Sequence, residues 1–355
     1  MMNKRTAAML ASAALVCAGI ASAQTGTAAV PRWSFAPEMI FPADRSLHRP
    51  EDGVVLPDGR LVVADQLTGL RLLNPDGTGR PFGRFAEAGY RHSPPAIVST
   101  INGVTLEPSG THVLGADVFR GGIYRVAVAT EAVELVYQHP FGVNMARADR
   151  RGGIWFTQST RNGPEHGERD LFRSVDVPTP DGAVYYLPPA RNGRPRTAVP
   201  VVEGLLFANG LVLDETRGYL YVAETLGKRV LRFRMDTATG AVSDQTTVFE
   251  HAHPDNVELD PHNRLWIALP ISSQIAVLDL ATGKSETVFS LLNPAKEQAI
   301  ATLEARIRDG VSWLELFGPA LWDPAPGAMT GMILSPNDGT VYVTGLGNAI
   351  IRLTR

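Results

Sequence analysis

A sixfold internal repeat is the feature that most constrains how this chain can fold. In each copy a polar residue is followed by apolar residues two and four positions later, then by a turn and a second apolar strand. Apolar residues that alternate with a period of two are typical of strands that bury one face. The six polar positions are Asp52, Asn102, Asn144, Asn209, Asp255 and Thr330.

The repeat predicts an all-β fold, a six-bladed β-propeller. Each copy runs on into further strands, such as 122–126 and 230–234, without helices between them, which argues against a parallel α/β sheet. Radial repetition hides the many sheet edges that such a chain would otherwise expose. The sixth copy stops at its third strand, 349–353, so we expect a segment at 33–40 to supply the missing outer strand and close the ring.

Two spacings between repeats are long and predict insertions. Residues 159–181 are polar and charged, whereas 293–316 carry Ala299, Ile300, Leu303 and Ile307 at helical spacing. The predicted architecture is therefore a propeller with a short helical insertion before the last blade. Each insertion is either surface decoration or a wall over one end of the channel.

The N-terminus has the pattern of an export signal. Lys4 and Arg5 precede an apolar run at 6–20, and Ala21-Ser22-Ala23 forms a small-residue cleavage site. We therefore predict a signal peptide at 1–23 and a single propeller domain at 24–355, in a bacterial protein that is periplasmic or secreted. The apolar run is too short for a membrane span.

Composition excludes several classes of function. The only cysteine, Cys17, lies in the predicted leader, so the exported chain would have no thiol for disulfides, thiolate catalysis or cysteine-ligated metals. The net charge is −3 and no long basic run occurs, so nucleic acid is not an expected partner.

The repeated polar position predicts a ring of side chains around the central channel, because the innermost strand of every propeller blade faces that channel. Asn-Gly and Asp-Gly are also ordinary turn sequences, and any one of them alone indicates a turn. However, Asn144 and Asp255 are not followed by glycine, and all six positions share one register. The shared register favours a functional ring.

The side chains of this ring predict a divalent metal site. Nearly all are oxygen donors and none is His or Cys, which is the ligand set that Ca²⁺ prefers over softer metals. Buried carboxylates that converge on a channel are costly without a cation, and Glu51 and Asp255 would balance one divalent ion. Such an ion could polarise a lactone or ester carbonyl and stabilise the oxyanion.

Four motifs in chain order resemble the strictosidine synthase-like and paraoxonase proteins, within the wider SMP-30/gluconolactonase superfamily. The motifs are Arg49-Pro50-Glu51-Asp52, Asn144 with 155–159, 207–213 with 221–225, and 254–257 with 265–268. The resemblance spans nearly the whole predicted mature chain. It implies that the channel metal is bound by Glu51, Asn144, Asn209 and Asp255, with Asn256 as a further ligand.

The sequence departs from the paraoxonase pattern at two positions. Asn102 stands where paraoxonases have a histidine, so their histidine dyad is not expected here. Met145 stands where they have an aspartate, which argues against a second, structural Ca²⁺ at Asp52. Asn102 and Thr330, in the ring register, are predicted to bind substrate.

The predicted function is metal-dependent hydrolysis of a small-molecule lactone or aryl ester. His253, two residues before Asp255, is the first candidate for the general base, and a metal-binding carboxylate, Glu51 or Asp255, is the alternative. Phosphotriester hydrolysis, a non-catalytic propeller that binds a partner around a structural metal, and a metal-free condensing enzyme are the competing functions.

Overall fold

The computed structural model describes residues 30–92, 98–162, 173–190 and 196–354, and the predicted signal peptide lies outside them. The described residues form twenty-four strands in six four-stranded antiparallel sheets. In chain order the strands are β1 (Ile40–Phe41), β2 (Gly53–Val55), β3 (Leu61–Asp65), β4 (Gly69–Leu73), β5 (Gly79–Pro81), β6 (Ile101–Leu106), β7 (His112–Asp117), β8 (Gly122–Ala127), β9 (Val133–Gln138), β10 (Ala146–Ala148), β11 (Ile154–Gln158), β12 (Gly182–Leu187), β13 (Val199–Leu205), β14 (Ala208–Asp214), β15 (Tyr219–Glu224), β16 (Arg229–Asp236), β17 (Ala241–Glu250), β18 (Val257–Leu259), β19 (Arg264–Leu269), β20 (Gln274–Asp279), β21 (Ser285–Ser290), β22 (Met329–Leu334), β23 (Val341–Gly345) and β24 (Ile350–Leu353).

Each sheet is one blade of a six-bladed β-propeller, as the repeats predict. Blades 1 to 5 are the sheets β2 to β5, β6 to β9, β10 to β13, β14 to β17 and β18 to β21. Each blade begins at its innermost strand, and the six innermost strands are the six repeats of the sequence. Consecutive blades pack through apolar side chains, such as Leu56 and Val62 of blade 1 against Val104 and Val113 of blade 2.

The sixth blade is completed by the N-terminal segment, which confirms that the two ends of the chain close the ring. Strand β1 is antiparallel to β24, with Ile40 opposite Ile351, and it forms the outer edge of blade 6. The outer strand is shorter than the predicted 33–40. Trp33 instead forms a parallel bridge to Phe289 of blade 5, and its indole Nε1 donates a 2.8 Å hydrogen bond to the Thr354 carbonyl.

The predicted helical insertion before the last blade is confirmed as helix α1 (Pro294–Asp309), which is followed by the short helix α2 (Pro319–Trp322). Asn293 caps α1 by accepting a hydrogen bond from the Lys296 amide, and Gly310 ends it in the left-handed conformation. The predicted apolar face packs as expected, with Leu303 fully buried. In the described ranges, no helix is long and apolar enough to cross a membrane.

Candidate active site in the central channel

Six polar side chains from six different blades line one cavity at an end of the channel. They are Glu51, Asn102, Asn144, Asn209, Asp255 and Thr330. Every one is at least nine-tenths buried. The cavity volume is about 90 Å³, which is room for a metal ion and a few water molecules. We call these six side chains the channel floor.

Two kinds of local backbone place the floor residues, and they alternate around the ring. In blades 1, 3 and 5 the floor residue precedes the innermost strand, which begins at Gly53, Ala146 or Val257. In blades 2, 4 and 6 the floor residue lies inside the strand, where the pairing register shifts between residues 101 and 104, 208 and 211, and 329 and 331. These irregularities in the strand pairing turn a side chain towards the channel that would point elsewhere in a regular strand.

The glycines after the floor residues of blades 2, 4 and 6 allow neighbouring blades to approach closely. A Cβ at Gly103 would stand 2.7 Å from the Asn144 carbonyl oxygen, and one at Gly210 would stand 2.6 Å from Asn256 Cα. A Cβ at Gly331 would be 3.0 Å from the Glu51 carbonyl oxygen. The Asn-Gly pairs are therefore parts of strands at blade contacts, and the turn interpretation of these pairs is wrong.

Several buried oxygens on the channel floor or directly beside it have no hydrogen-bond partner. Within the described residues these are Asn209 Oδ1, Asp255 Oδ1 and Asn256 Oδ1, all of which are buried. A buried polar atom left without a partner is costly and requires an explanation. Oxygens of carboxylate and amide groups are the ligands that a hard divalent cation such as Ca²⁺ prefers, so this donor set could hold one. Groups of three or more His, Cys, Asp and Glu side chains, typical of other metal sites, do not occur in the described part of the chain.

Hydrogen bonds fix the orientation of the Asn209 amide on the floor and of the Glu51 carboxylate. Asn209 Nδ2 donates to Thr225 Oγ1 over 3.1 Å, and that hydroxyl in turn donates to the Pro254 carbonyl over 2.8 Å. Because the Thr225 proton is committed to Pro254, the hydroxyl must accept from the amide nitrogen, and Asn209 Oδ1 is left for a ligand. Asn256 Nδ2 lies 3.3 Å from each carboxylate oxygen of Glu51, so it orients that carboxylate.

The carboxylates at the channel have perturbed acidities. Burial raises the pKa of Glu51, and the charge of Arg49 partly opposes this effect. Burial and the neighbouring Glu51 raise the pKa of Asp255 well above its usual range. The pKa of Asp52 is also raised well above its usual range by burial and by Glu51. Three acidic groups this close together are stable as anions only with a compensating positive charge.

Apolar side chains form the walls above the floor, and both insertions contribute to them. Trp313, Leu314 and Phe317 come from the segment between α1 and α2, and Val175 comes from the insertion in blade 3. Trp313 joins the two insertions, because its backbone amide donates to Asp176 Oδ1 over 2.8 Å and its indole Nε1 to the Val175 carbonyl over 3.2 Å. The insertions are thus walls of the cavity. The remaining apolar wall residues are Val118, Phe207, Pro270, Ile271 and Leu346.

Three predicted or considered residues lie beside the cavity without lining it. Asn256 contacts the floor through Glu51, as described above. Asp52, the ring residue that the repeat predicts for blade 1, turns away, and its Oδ2 accepts a 2.8 Å hydrogen bond from the Val104 amide. Its neighbour Glu51 lines the cavity in its place. His253 is 5% exposed, with Nε2 2.9 Å from Glu304 Oε1 of helix α1 and Nδ1 3.1 Å from the Thr225 carbonyl. Its two ring nitrogens therefore both face acceptor oxygens.

Sequence reasoning missed three polar residues of the site. Arg49 lines the cavity, Thr225 orients Asn209, and Glu304 holds His253 from the helical insertion. Arg49 could have been predicted from the sequence, because it belongs to the first-blade motif and stands two residues before Glu51. Thr225 and Glu304 carry no repeat signal, since Thr225 follows the second strand of blade 4 and Glu304 lies in the helical insertion.

Comparisons with known proteins find lactonases and a gluconolactonase among the proteins similar to this chain. The family model for the SMP-30/Gluconolactonase/LRE-like region matches residues 122–296. Lactonase drp35 of Staphylococcus haemolyticus is 28% identical over 136 residues, which are 37% of this chain and 36% of that protein. The putative sugar lactone lactonase YvrE of Bacillus subtilis is 23% identical over 186 residues, 50% of this chain and 56% of that protein.

A solved gluconolactonase from Xanthomonas campestris has the same fold, with a TM-score of 0.59 at 17% sequence identity, over 91% of this chain and 94% of that one. The family model and the lactonase relatives therefore support a place for about half of the chain in the SMP-30/gluconolactonase superfamily. The chain spans between about a third and just over half of the length of the curated relatives it matches. The narrower resemblance to the strictosidine synthase-like branch stays a prediction.

Proposed function

We propose that this protein hydrolyses a lactone or an ester with one divalent metal ion, Ca²⁺, at the channel floor. The observation that carries the proposal is the set of buried, unpartnered oxygens of Asn209, Asp255 and Asn256 beside Glu51. The relatives in the superfamily that are named lactonases support the choice of reaction.

The residues that would hold the ion are Glu51, Asn144, Asn209 and Asp255, with Asn256 as a further ligand. Two carboxylates and neutral amides match the charge and the hard-oxygen preference of Ca²⁺. When bound, the ion supplies a Lewis acid that polarises the carbonyl and offsets negative charge as water adds.

The chain's own residues divide the remaining tasks. We assign the role of general base, which accepts the proton of the attacking water, to Asp255 or Glu51, because both carboxylates line the cavity. His253 has both nitrogens directed at Glu304 and the Thr225 carbonyl, so we assign it to holding the insertion against the floor rather than to accepting a proton from water. We assign substrate binding to Asn102 and Thr330, which both line the floor.

The apolar walls favour substrates that carry an apolar group on the lactone or ester. Phe207, Trp313 and Phe317 present ring surface above a polar floor. A wall of this kind buries an alkyl or aryl group, at roughly 25 cal/mol per Å² of apolar surface, and offers few partners to the hydroxyls of a sugar. It also keeps bulk water away from the reacting carbonyl.

A substrate panel with metal control tests the proposal. The purified protein is assayed on aliphatic lactones, sugar lactones, aryl esters and phosphotriesters, with Ca²⁺ and after chelation, and bound metal is measured. We expect hydrolysis of lactones or aryl esters that chelation abolishes and Ca²⁺ restores. Hydrolysis that survives chelation would contradict the metal mechanism, and turnover of phosphotriesters alone would contradict the substrate class.

Matched variants separate the site from the fold. Glu51→Gln and Asp255→Asn remove the two floor carboxylates, and each should lower turnover at least about a thousandfold, as loss of a principal catalytic group does. Glu38→Gln, an exposed residue outside the channel, is the control for loss of a carboxylate. Folded floor variants with unchanged turnover would contradict the site. A protein that binds metal but hydrolyses nothing in the panel would instead be a non-catalytic propeller.

A further inference from the structure

Arg49 is a cation inside the cavity that no partner neutralises. It lines the cavity together with Glu51 and Asp255, yet in the described ranges it forms no ion pair, and its Nη1 is buried without a hydrogen bond. Its charge partly opposes the rise that burial causes in the pKa of both floor carboxylates. Its backbone amide donates to the Gly347 carbonyl over 2.8 Å, which ties this end of the loop to blade 6.

Among the groups that line the cavity, the charge balance leaves Arg49 in excess, because the third buried acid, Asp52, turns away from the cavity to the Val104 amide. Two ionised carboxylates, Glu51 and Asp255, are balanced by one divalent ion. The guanidinium then adds an uncompensated positive charge next to that ion, in a cavity with apolar walls. Two cations side by side in such surroundings are costly unless an anion lies between them.

We propose that Arg49 and the channel floor form a subsite for a monocarboxylate with an apolar tail. The planar guanidinium presents a fork of N–H donors that matches a carboxylate, and the apolar walls receive the tail. This inference rests on the proposed function, because the charge argument requires the proposed metal ion. It deepens that function, because hydrolysis of a lactone or ester yields a carboxylate, and the subsite would hold the acid product until it leaves.

Binding of hexanoate tests the subsite without any turnover. Titration calorimetry compares hexanoate with hexanamide, which has the same tail but no charge, on Ca²⁺-loaded and chelated protein. We expect the loaded protein to bind hexanoate more tightly than hexanamide. Arg49→Gln and Arg49→Met should weaken hexanoate binding roughly ten- to hundredfold, which is the range for losing a hydrogen bond to a charged group, and should leave hexanamide unchanged.

Two further variants make the result specific. Arg49→Lys keeps the charge without the fork and should fall between wild type and Arg49→Gln. Arg45→Gln is the matched control, because Arg45 is exposed in the same loop and shares the left-handed backbone, with φ of 51° against 55° for Arg49. It should leave hexanoate binding unchanged.

Other outcomes overturn the inference. Equal hexanoate affinity in the wild type and in Arg49→Gln would show that Arg49 does not bind the carboxylate. A large rise in Ca²⁺ affinity in Arg49→Gln, without a change in hexanoate binding, would show that Arg49 takes the place of the cation. Because calorimetry needs no reaction, carboxylate binding by a protein that hydrolyses nothing would uphold the subsite while contradicting the hydrolase.

Discussion

The Asn209 amide is held by Thr225 in the one orientation that leaves its oxygen for a ligand. Asn209 Nδ2 donates to Thr225 Oγ1 over 3.1 Å, and Asn209 Oδ1 has no partner in the part of the chain that the structure describes. Thr225 thus acts on the proposed metal site through Asn209 rather than as a ligand.

Thr225→Val removes the acceptor while it keeps the shape of the side chain. The freed amide can rotate and present its nitrogen to the cavity, so Ca²⁺ affinity should fall roughly ten- to hundredfold, as for other losses of an outer-shell partner. Thr225→Ser keeps the hydroxyl and should retain most of the affinity. Calorimetric titration with Ca²⁺ measures both, and equal affinities in the two variants would contradict the positioning role.

Gly210→Ala should separate two neighbouring blades at the channel. The new Cβ would stand 2.6 Å from Asn256 Cα, a backbone atom that cannot swing away, so we expect the free energy of unfolding to fall by about 1–3 kcal/mol. Gly318→Ala is the control, because its Cβ would meet no atom within 4 Å. Chemical denaturation measures the difference, and equal stabilities would show that the blades can move apart freely.

His139 should make the fold sensitive to mild acid. Its ring is 3% exposed among Tyr137, Phe156 and Tyr185, and Nδ1 has no hydrogen-bond partner among the described residues. Burial lowers the pKa of His139 below its usual 6.5. The unfolded chain therefore binds the proton first, and the free energy of unfolding should fall as the pH drops from about 6.5 towards the lowered pKa.

His139→Phe removes this titration and keeps an aromatic ring in the same surroundings. The slope of stability against pH between 7 and 5 should become shallower in the variant than in the wild type. The comparison is made on chelated protein, so that proton release on metal binding does not contribute. Identical slopes in the two proteins would contradict the role of His139.

Glu304 should anchor the helical insertion at neutral pH. Its carboxylate pairs with His253 and Lys228, and the hydrogen bond from His253 chiefly lowers the pKa of Glu304 to about 2. Because the folded-state pKa lies below the usual 4.5, this stabilisation is present above about pH 4.5 and is lost as the pH falls towards 2.

Glu304→Gln should loosen the wall before it affects the blades. We expect faster amide hydrogen exchange in 294–309 and a higher KM for substrates with apolar groups, with the global unfolding transition nearly unchanged. Gln298→Ala, at an exposed position of the same helix, is the control. Unchanged exchange in the helix would show that packing of residues such as Leu303 suffices to hold it.

The amino-acid sequence by itself determined the blades and which residues face the channel. Strands of period two, repeated six times in one register, can bury their apolar faces only by packing blade against blade. Residues in that register then come to the axis, which is why Asn102, Asn144, Asn209, Asp255 and Thr330 line one cavity. In blade 1 the register indicated Asp52, but its neighbour Glu51 lines the cavity instead. The helix at 294–309 was also predictable, since its apolar spacing is a local property.

The tertiary structure decided what surrounds that floor. Arg49, Thr225 and Glu304 act through contacts with residues from other blades or from the insertion, and the repeat says nothing of such contacts. The role of Gly103 and Gly210 at blade contacts could not be predicted either, because an Asn-Gly pair is compatible both with a turn and with an irregular strand. Local patterns fix which face of a strand is buried, whereas the partner of a buried polar group is fixed only when distant segments meet.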